Sequence, residues 1–502
     1  MINEPTSNQD WFYGLSSFLI LGFSLVIVEL IRRHFHWSGE VTRKITHIGT
    51  GLLVFISPLF LISKTPAVAL GIFFTIFNYF AIRFHWLKGI HGTNRTTYGT
   101  AWYPLAFSLL AFLCWDNNKP ALMTAMLVLA IGDASAALIG GWVKKPHLYN
   151  LTGDTKSLEG SAGMFLVSFC IILIAFYFFD RWSFLQWSWP LALVTALTGS
   201  MMATASEAVS VRGSDNMTIP LSVALVVHVM THSPDALILQ FFLASFLSLG
   251  VSLISYYVRF LNVGGAAAAF ILGTIIFGLG GWPWAAPILV FFVSSSILSR
   301  LGKRRKKKFD LVFEKSSTRD VGQVMANGGL AGCIMVLAYY YPDYDLYLVF
   351  LGILAAVTSD TWATEIGVWF TAAPRNILNL RKVEAGTSGG VTLAGTFGGV
   401  LGALCIAVSG YVVKGDLFLK SSLEFSFFWI ILAGFIGSTV DSILGATFQA
   451  QYLCEQCKKV TERKVHCDRR STLIRGWEFF HNDRVNLMCG LSGGLVLYFM
   501  TH

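Results

Sequence analysis

The chain has 502 residues, of which 54% are hydrophobic, 14% are aromatic and only 13% are charged, with a formal net charge of +9. Its mean hydropathy is +0.61. This composition excludes an ordinary soluble globular protein, because such a protein needs more polar side chains to cover its surface. It predicts an integral, multi-pass membrane protein whose partner is the lipid bilayer.

Apolar stretches of about the length that a helix needs to cross the hydrocarbon core, roughly 20 residues, recur along the chain. We predict an all-α polytopic membrane protein with about sixteen transmembrane helices of this kind. The stretches lie near residues 11–31, 46–63, 66–84, 102–115, 120–141, 161–179, 187–205, 217–232, 236–257, 264–281, 283–299, 325–341, 345–370, 389–411, 426–448 and 485–500.

Basic residues are concentrated in particular connections between these stretches, and the positive-inside rule assigns such connections to the cytosol. With sixteen helices, all the basic connections fall on one face, and both termini lie on the opposite face. The run Lys303–Lys308 is read as a membrane-proximal cytosolic loop rather than a nucleic-acid site, so no nucleic-acid partner is expected. The basic connections are 32–44, 83–100, 142–157, 300–324, 372–388 and 449–484.

One pattern occurs twice: Asp133-x-x-Ala136-x-x-Ile139-Gly140 returns as Asp360-x-x-Ala363-x-x-Ile366-Gly367. An aspartate beside hydrocarbon is costly, so two in matching surroundings predict two related active sites in one polypeptide. The pattern indicates two repeats of about seven helices each. Because seven is odd, an extra helix between the repeats is needed to give both the same orientation, with both active sites on the cytosolic face.

This duplication predicts four segments along the chain. They are an N-terminal extra helix and cytosolic loop at 1–45, a first repeat at 46–232, a linker helix at 233–263, and a second repeat at 264–502 that includes the cytosolic loop 449–484.

Acidic and basic side chains of the first repeat form one candidate active site. Asp133, Lys156, Glu159 and Glu207 are the predicted catalytic residues, with Lys156 and Glu159 on one helical face because residues i and i+3 are neighbours. Asp133 and Glu207 are the predicted Mg²⁺ ligands. The alternative is that these acids only cap helices. The predicted nucleotide- and phosphate-binding residues of this repeat are Arg43, Lys44, His47, Arg95, Ser157, Asp215 and Asn216.

The second repeat offers a comparable set. Asp360 and Asp441 are its predicted catalytic residues and Mg²⁺ ligands. No Lys-x-x-Glu occurs in the corresponding segment, where glycine, threonine and serine are found instead. The predicted phosphate-binding residues of this repeat are Arg319, Asp320, Gly386, Thr387, Ser388, Asn482 and Asp483.

The sequence has neither a P-loop nor a kinase-type glycine-rich loop, so any nucleotide chemistry is of a membrane-embedded kind. The first repeat resembles the dolichol kinase/phytol kinase family, relatives of phosphatidate cytidylyltransferase, over residues 40–232. That resemblance implies CTP-dependent phosphorylation of a long isoprenoid alcohol at the cytosolic face. It rests on Arg43-Lys44-x-x-His47-Ile48, Gly132-Asp133-x-x-Ala136, Lys156-Ser157-Leu158-Glu159-Gly160-Ser161 and Glu207-Ala208.

The second repeat resembles a different branch, the integral membrane family that includes phytyl-phosphate kinase, over residues 264–500. Its motifs are Ser317-Thr318-Arg319-Asp320, Ser359-Asp360-x-x-Ala363-x-Glu365, Gly386-Thr387-Ser388-Gly389-Gly390, Asp441-Ser442-x-x-Gly445-Ala446 and Asn482-Asp483-x-x-Asn486. Together the resemblances imply a fusion that takes phytol, geranylgeraniol or farnesol to its monophosphate and then to its diphosphate. Such products serve the salvage of tocopherol or quinone precursors.

The difference between the repeats favours this division of the two reactions. An alcohol hydroxyl is a poor nucleophile and benefits from a base such as a carboxylate, which the first repeat supplies in Lys-x-x-Glu. A phosphate monoester is already ionised, so it needs cations and backbone N–H donors instead. A cytidylyltransferase that makes a CDP-lipid and a transporter built on duplicated bundles are the alternative functions.

A possible structural Zn²⁺ site lies in the loop 449–484. Cys454-x-x-Cys457 is followed by Cys467, and this spacing of cysteines is typical of zinc knuckles. The fourth ligand is open, because His466 and Cys467 are adjacent and neighbouring residues do not easily bind one ion together. Reduced thiols without a metal are the alternative.

Overall fold

The computed structural model describes residues 8–36, 39–84, 97–151, 154–182, 184–185, 188–306, 318–370, 373–384, 386–416, 423–458 and 460–501. Helices dominate these residues, and short strands occur only in connections. The chain divides into two compact units, Met1–Phe242 and Leu243–His502. The boundary falls inside the helix Asp235–Tyr257, which covers most of the segment predicted to link the repeats.

The first unit is a bundle of apolar helices with one short hairpin. Its elements are α1 Asn8–Phe35, α2 Gly39–Phe60, α3 Thr65–Arg83, α4 Gly99–Cys114, α5 Lys119–Leu127, a π-helical segment Val128–Asp133, α6 Ala134–Trp142, β1 Leu148–Asn150, β2 Thr155–Ser157, α7 Leu158–Arg181, α8 Trp189–Val209, α9 Asp215–His232 and the start of α10 Asp235–Tyr257. Because α2 begins at Gly39, the predicted loop residues Arg43 and Lys44 lie within a helix.

The second unit follows a similar plan. After α10 its elements are α11 Val263–Lys306, α12 Val321–Tyr340, α13 Tyr347–Trp369, β3 Arg375–Asn376, β4 Gly390–Val391, α14 Leu393–Val413, α15 Leu423–Thr447, β5 Gln451–Leu453, β6 Val460–Thr461, β7 Val465–His466, β8 Arg469–Arg470, β9 Thr472–Arg475 and α16 Asn482–Thr501. The predicted loop 449–484 is therefore folded: β6, β5 and β9 form one antiparallel sheet, and β7 and β8 form a hairpin.

Helix α11 is not straight, because the chain reverses at Gly281, which has φ 63°. A Cβ placed on Gly328 would lie 2.9 Å from Leu272 and 3.7 Å from Ile288. Residues 16 positions apart on a continuous helix would be roughly 24 Å apart, so they reach the same point only if the two arms are antiparallel. The prediction of two separate spans at 264–281 and 283–299 agrees with this reversal.

By length and composition, ten of the described helices can cross a membrane. The stretch Val263–Leu301 is counted once in that set although it contains the reversal at Gly281. The described helices therefore confirm an all-α polytopic membrane protein. The number of about sixteen spans and the repeat organisation remain predictions.

The most enclosed span of each unit is the one that ends in the repeated aspartate pattern. The span Lys119–Trp142 is 61% buried, and Tyr347–Trp369 is 72% buried. In both, most of the small and aliphatic side chains are buried within the unit, as expected for a central helix of a bundle. Asp133 and Asp360 thus project from the centre of each unit.

A close approach between α13 and α15 sets the geometry of the second unit. A Cβ on Gly437 would lie 2.3 Å from Ala356 Cβ and 3.1 Å from the Cys489 carbonyl oxygen of α16. Small residues allow such approach, which drives helix association in lipid through van der Waals packing. Ala356 and Gly437 lie one helical turn before Asp360 and Asp441 respectively, so this crossing brings the two carboxyl groups together.

We expect Gly437→Ala to destabilise the protein, because neither alanine Cβ can rotate away from the other. Overpacking costs about 1–3 kcal/mol, and the higher helix propensity of alanine offsets about 1 kcal/mol of that cost. The measurement is the apparent melting temperature of the detergent-purified protein. Gly250→Ala in α10 is the matched control, because nothing lies within 4 Å of its Cβ. Equal melting temperatures for the two variants would contradict the crossing.

Candidate functional site

A helix, a short hairpin and a second helix form a corner at Asp133 in the first unit. Gly160 of α7 packs on α6 so closely that a Cβ there would lie 2.8 Å from the Ala136 carbonyl oxygen, and Gly163 packs on Ile139. Ser157, the last residue of β2, caps α7 by accepting a hydrogen bond from Gly160 N at 3.1 Å. The two helices are therefore fixed against each other immediately beside Asp133.

The same contacts recur at Asp360 in the second unit. A Cβ on Gly395 of α14 would lie 2.7 Å from the Ala363 carbonyl oxygen, and Gly398 packs on Ile366. Thr392 follows β4 and caps α14 by accepting from Gly395 N at 3.0 Å. Ser157 and Thr392 thus occupy matching positions. Counting back one residue, the position of Lys156 in the first unit is held by Val391 in the second.

A π-helical segment precedes Asp133 and is a feature that the sequence did not predict. Val128–Asp133 adopts this geometry, in which backbone carbonyls lose their α-helical partners, and such segments are frequent at functional sites. His47 of α2 lies with its Nε2 3.2 Å from the Leu129 carbonyl oxygen, and its ring packs edge-on against Tyr103. His47 therefore supports the segment that carries Asp133.

Lys156 and Glu207 form the centre of the first candidate site. Lys156 Nζ lies 2.7 Å from Glu207 Oε1 and donates to Ser210 Oγ at 2.8 Å and to the Glu207 carbonyl oxygen. Glu207 Oε2 accepts from Ser161 Oγ at 3.4 Å, and Ser161 is paired with Tyr149 at 2.6 Å. Both side chains are largely buried, so the ion pair compensates each of them for lost contact with water.

More than one carboxylate acts on this lysine. Burial lowers the pKa of Lys156, but the carboxylates of Glu207, Asp215 and Asp133 outweigh burial, and the net pKa lies above its ordinary value. Lys156 is therefore held in its charged form. Asp133, Glu207 and Asp215, which are distant in sequence, are all close enough to this ammonium group to interact with it.

Glu159 is placed differently from its prediction. The expectation that Lys156 and Glu159 share a helical face is wrong, because Lys156 lies in strand β2 and the helix begins only at Leu158. Glu159 instead lies 2.7 Å from His147 Nδ1 and accepts hydrogen bonds from the His147 backbone N–H. It belongs to the hairpin edge, not to the Lys156–Glu207 contact.

The remaining predicted residues of the first unit have varied positions. Asp215 begins α9, and its Oδ2 accepts from Ser210 Oγ at 3.4 Å, so it borders the Lys156 group. Asn216 is buried and donates to the Gly213 carbonyl oxygen at 3.3 Å. Lys44 is half-buried on α2. Arg95 and the side chain of Arg43 lie outside the described residues.

Asp360 and Asp441 form the centre of the second candidate site. Their carboxyl groups face each other, and Glu462, from the segment after β6, is close enough to Asp441 for their charges to interact. Within the described part of the chain no group donates a hydrogen bond to the buried Asp441 Oδ2. Asp360 and Asp441 are hydrogen-bonded to each other, and acids this close repel one another unless they share a proton or a cation lies among them. Carboxylate oxygens are the ligands that Mg²⁺ prefers. These residues fit a divalent cation.

The predicted glycine-rich turn lies against α15 beside Asp441. Gly389, with φ 79°, leaves no room for a side chain, because a Cβ there would lie 2.7 Å from the Ser442 carbonyl oxygen. Thr387 closes the turn through its backbone: its carbonyl oxygen accepts from Gly390 N at 3.0 Å, and Gly386 precedes it with φ 90°. Ser388 Oγ donates to Glu462 Oε1 at 2.8 Å. The turn therefore connects to the acidic group through Ser388.

Arg319 and Asp320 lie at the start of α12 and have structural partners. The Arg319 guanidinium group stacks on Phe291 and Phe292. Its burial lowers its pKa to about 10, while the nearby Glu365 carboxylate raises it. Asp320 forms a capping box with Gln323, accepting from the Gln323 N–H at 2.9 Å. The described contacts thus place Arg319 beside Glu365, which in turn accepts from Ser299.

Asn482 and Asp483, the last of the predicted residues, open helix α16. Asp483 Oδ2 lies 4.0 Å from His481 Nδ1. Cys489, six residues after Asp483 in α16, is close enough to Asp360 and Asp441 for their charges to act on its thiol. The beginning of α16 therefore lies at the same end of the bundle as the acidic pair.

Three cysteines and a histidine of the segment 449–484 meet in space. The ligand atoms of Cys454, Cys457, His466 and Cys467 all lie within 4.8 Å of one another. The sequence left the fourth residue open, and the structure places His466 there. It does so because Cys467 and Asp468 both have positive φ, 52° and 57°, in the turn of the β7–β8 hairpin.

Glu462, Ser210 and His147 are neighbours of these clusters that the sequence did not predict. Glu462 lies in a segment rich in charged residues, where nothing distinguishes one acid from another before the fold is known. Ser210 and His147 are single polar residues outside any recognisable motif. His466 did have a signal in the sequence, because it lies next to Cys467 and close to the other two cysteines.

Comparisons with known proteins agree with this architecture. The family described as integral membrane protein DUF92 matches residues 246–494. Protein PGR of Arabidopsis thaliana is 30% identical over 256 residues, covering 47% of this chain and 86% of that protein. Phytol kinase of Synechocystis is 31% identical over 230 residues, covering 45% of this chain and 94% of the kinase.

A third relative, protein VTE6 of Arabidopsis thaliana, is 27% identical over 246 residues, covering 48% of this chain and 65% of that protein. No solved structure matches the chain. The relatives of high coverage and the matched family agree with the multi-pass helical fold described above. The chain is a phytol kinase-like membrane protein whose residues 246–494 match the integral membrane protein family DUF92.

Proposed function

We propose that this protein is a bifunctional membrane kinase. Its first unit phosphorylates an isoprenoid alcohol such as phytol, geranylgeraniol or farnesol, and its second unit converts the monophosphate to the diphosphate. The similarity to phytol kinase supports a prenol kinase-like phosphotransferase. We further propose that each unit carries out one of the two steps and that CTP is the donor.

One observation carries the division into two steps. The corners at Asp133 and Asp360 have the same glycine contacts and a hydroxyl-bearing residue at the same capping position. The position of Lys156 in the first corner is nevertheless held by Val391 in the second. Two sites on the same scaffold with a different charge next to the carboxylates suit two acceptors of different charge. The neutral alcohol and the anionic monophosphate are such a pair.

In the first unit, the acceptor hydroxyl must lose a proton as it attacks the terminal phosphoryl group. A carboxylate within reach of that hydroxyl can accept the proton, which contributes about 10²–10⁴-fold in rate. Asp133, Glu207 and Asp215 supply carboxylates around Lys156. Lys156 forms an ion pair with Glu207 and adds a positive charge that favours the phosphates of the donor.

In the second unit, the acceptor is a phosphate monoester whose second pKa is about 6, so it needs no base near neutral pH. Asp360, Asp441 and Glu462 are acidic and repel such a dianion unless they hold a cation. The proposal includes Mg²⁺ in both units, held by Asp133 and Glu207 in the first and by Asp360 and Asp441 in the second. Bound there, Mg²⁺ would neutralise the phosphate oxygens of the nucleotide.

The proposal includes two parallel repeats within about sixteen spans, with both sites on the cytosolic face. Eight described helical segments separate the β1–β2 hairpin from the β3–β4 hairpin when the two arms of α11 are counted separately. If each crosses the bilayer, an even number returns the chain to the same face. The basic residues of 142–157 and 372–388 favour the cytosol, which leaves both termini on the other side.

Labelling of single introduced cysteines in sealed vesicles tests this arrangement. Lys145→Cys and Lys382→Cys, each made in a protein whose exposed native cysteines are replaced, are expected to react with an impermeant maleimide from the same side. Asp116→Cys is the control of opposite orientation, because one span separates it from the β1–β2 hairpin. If the cysteines at 145 and 382 react from opposite sides of the membrane, the proposal that both sites lie on the same face is wrong.

Variants of the two aspartates test the order of the reactions. Asp133→Asn is expected to abolish monophosphate formation, by at least about 10²-fold, while supplied prenyl monophosphate is still converted to diphosphate. Asp360→Asn is expected to do the reverse, so that monophosphate accumulates from the alcohol. Products are separated by chromatography after incubation of purified protein with prenol and CTP.

Two exposed acids serve as matched controls for these variants. Asp116→Asn lies in the first unit, where Asp116 pairs with Lys64 at 2.6 Å, and Asp343→Asn lies in an exposed connection of the second unit. Both are expected to retain both activities. The assignment would be contradicted if Asp133→Asn or Asp360→Asn abolished both steps. It would also be contradicted if either variant abolished neither step.

A cytidylyltransferase would use the same carboxylates but would transfer CMP instead of a phosphoryl group. We expect lipid product labelled from the γ-phosphate of CTP and not from its α-phosphate when purified protein is given labelled CTP and a prenol. Label from the α-phosphate would identify cytidylyl transfer. Running the assay with each of the four nucleoside triphosphates determines whether CTP is the preferred donor.

A further inference from the structure

The cluster of Cys454, Cys457, His466 and Cys467 has the composition of a structural zinc site. Cys457 Sγ lies 3.5 Å and Cys467 Sγ 3.2 Å from His466 Nδ1, and all four ligand atoms lie within 4.8 Å of one another. Three thiolates and one imidazole are a common tetrahedral ligand set for Zn²⁺. The cysteines are free rather than joined in disulfides, so the sulfur atoms are available for a metal.

The backbone presents these four residues in two short turns. Cys454 and Cys457 flank the turn after β5, which is closed by the hydrogen bond from Lys458 N to the Cys454 carbonyl oxygen at 2.8 Å. His466 and Cys467 enter the β7–β8 turn, in which two successive non-glycine residues have positive φ. This conformation is unfavourable for side-chain-bearing residues, and here it brings adjacent side chains to the same point.

The segment around the cluster has short strands and few buried apolar side chains to stabilise its fold. Its strands contain two to four residues each, and the side chains of Val460, Val465, Leu473 and Ile474 are exposed. Short two- and three-stranded sheets without a packed apolar face are marginal on their own. A bound ion would supply the missing stabilisation, as in small zinc-dependent domains.

Glu462 lies within this segment, between the two pairs of candidate ligands. Its Oε1 accepts hydrogen bonds from Ser388 Oγ and from Gln449 Nε2, each at 2.8 Å. Through these contacts its carboxylate is held beside Asp441. The position of Glu462 therefore depends on the fold of the chain between Cys454 and Cys467.

We propose that a structural Zn²⁺ bound by Cys454, Cys457, His466 and Cys467 folds the segment 449–484 and thereby holds Glu462 at the Asp360–Asp441 site. The metal-binding part stands by itself. The role of Glu462 in phosphorylation of the monophosphate rests on the proposed function.

Metal content and protease sensitivity test the first part with the full-length protein in detergent. We expect about one zinc per chain by elemental analysis, and a fall to roughly a tenth or less in Cys454→Ser/Cys457→Ser. Cys405→Ser, in α14, is the matched control and is expected to keep its zinc. Trypsin is expected to cleave within 458–475 only after a zinc chelator is added, with protection restored by Zn²⁺.

The proposed metal site is wrong if zinc is absent from the unmodified protein as well as from Cys454→Ser/Cys457→Ser and Cys405→Ser. Full protection of 458–475 after zinc removal would overturn its role in folding the segment. Glu462→Gln is expected to keep zinc and protease resistance but to slow diphosphate formation about tenfold or more, as loss of a residue that supports a metal site does. If Glu462→Gln retains its zinc and forms diphosphate at an unchanged rate, the proposed role of Glu462 is wrong. The proposed zinc site is not affected by that result.

Discussion

Carboxylates enclosed among apolar helices are the constraint around which both units are arranged. A single charge at the centre of a membrane helix costs about 2.5–3.5 kcal/mol on insertion scales, and an acid enclosed by protein must find a compensating partner. In the first unit Glu207 has Lys156, and Asp133 and Asp215 share the field of the same ammonium group. In the second unit Asp360 and Asp441 face each other instead. The first site is thus partly neutralised by a lysine of the protein, whereas the second has two hydrogen-bonded carboxyl groups and fits a cation.

Glycine determines how closely the carboxylates approach. The apolar helices gain little from the hydrophobic effect inside lipid, so they associate through close van der Waals contact, which side chains larger than hydrogen would prevent. Gly160 and Gly395 bring the helix after each hairpin onto the carbonyl groups of Ala136 and Ala363. Gly437 does the same between α13 and α15. Each of these contacts lies about one turn from an acid of the site.

The two units differ where a different acceptor would require it. We propose that Lys156 marks the site for a neutral alcohol, and that the acidic site of the second unit, completed by Glu462, serves the anionic monophosphate. Glu462 comes from an extramembrane segment rather than from a helix of the bundle. The proposed zinc site would make the second site dependent on the fold of that segment, and no comparable cysteine cluster occurs among the described residues of the first unit.

The sequence by itself determined the membrane class, the positions of the helices and the repeated aspartate pattern, because hydropathy and spacing along a chain are local properties. It also predicted Asp133, Glu207, Asp360 and Asp441 as candidate site residues, since acids beside apolar runs are conspicuous. Only the tertiary structure decided their partners. Lys156 forms an ion pair with Glu207 and does not share a helical face with Glu159, because a strand ends at Ser157 and the helix starts after it. Glu462 and His466 gained their neighbours through chain reversals, which no periodicity encodes.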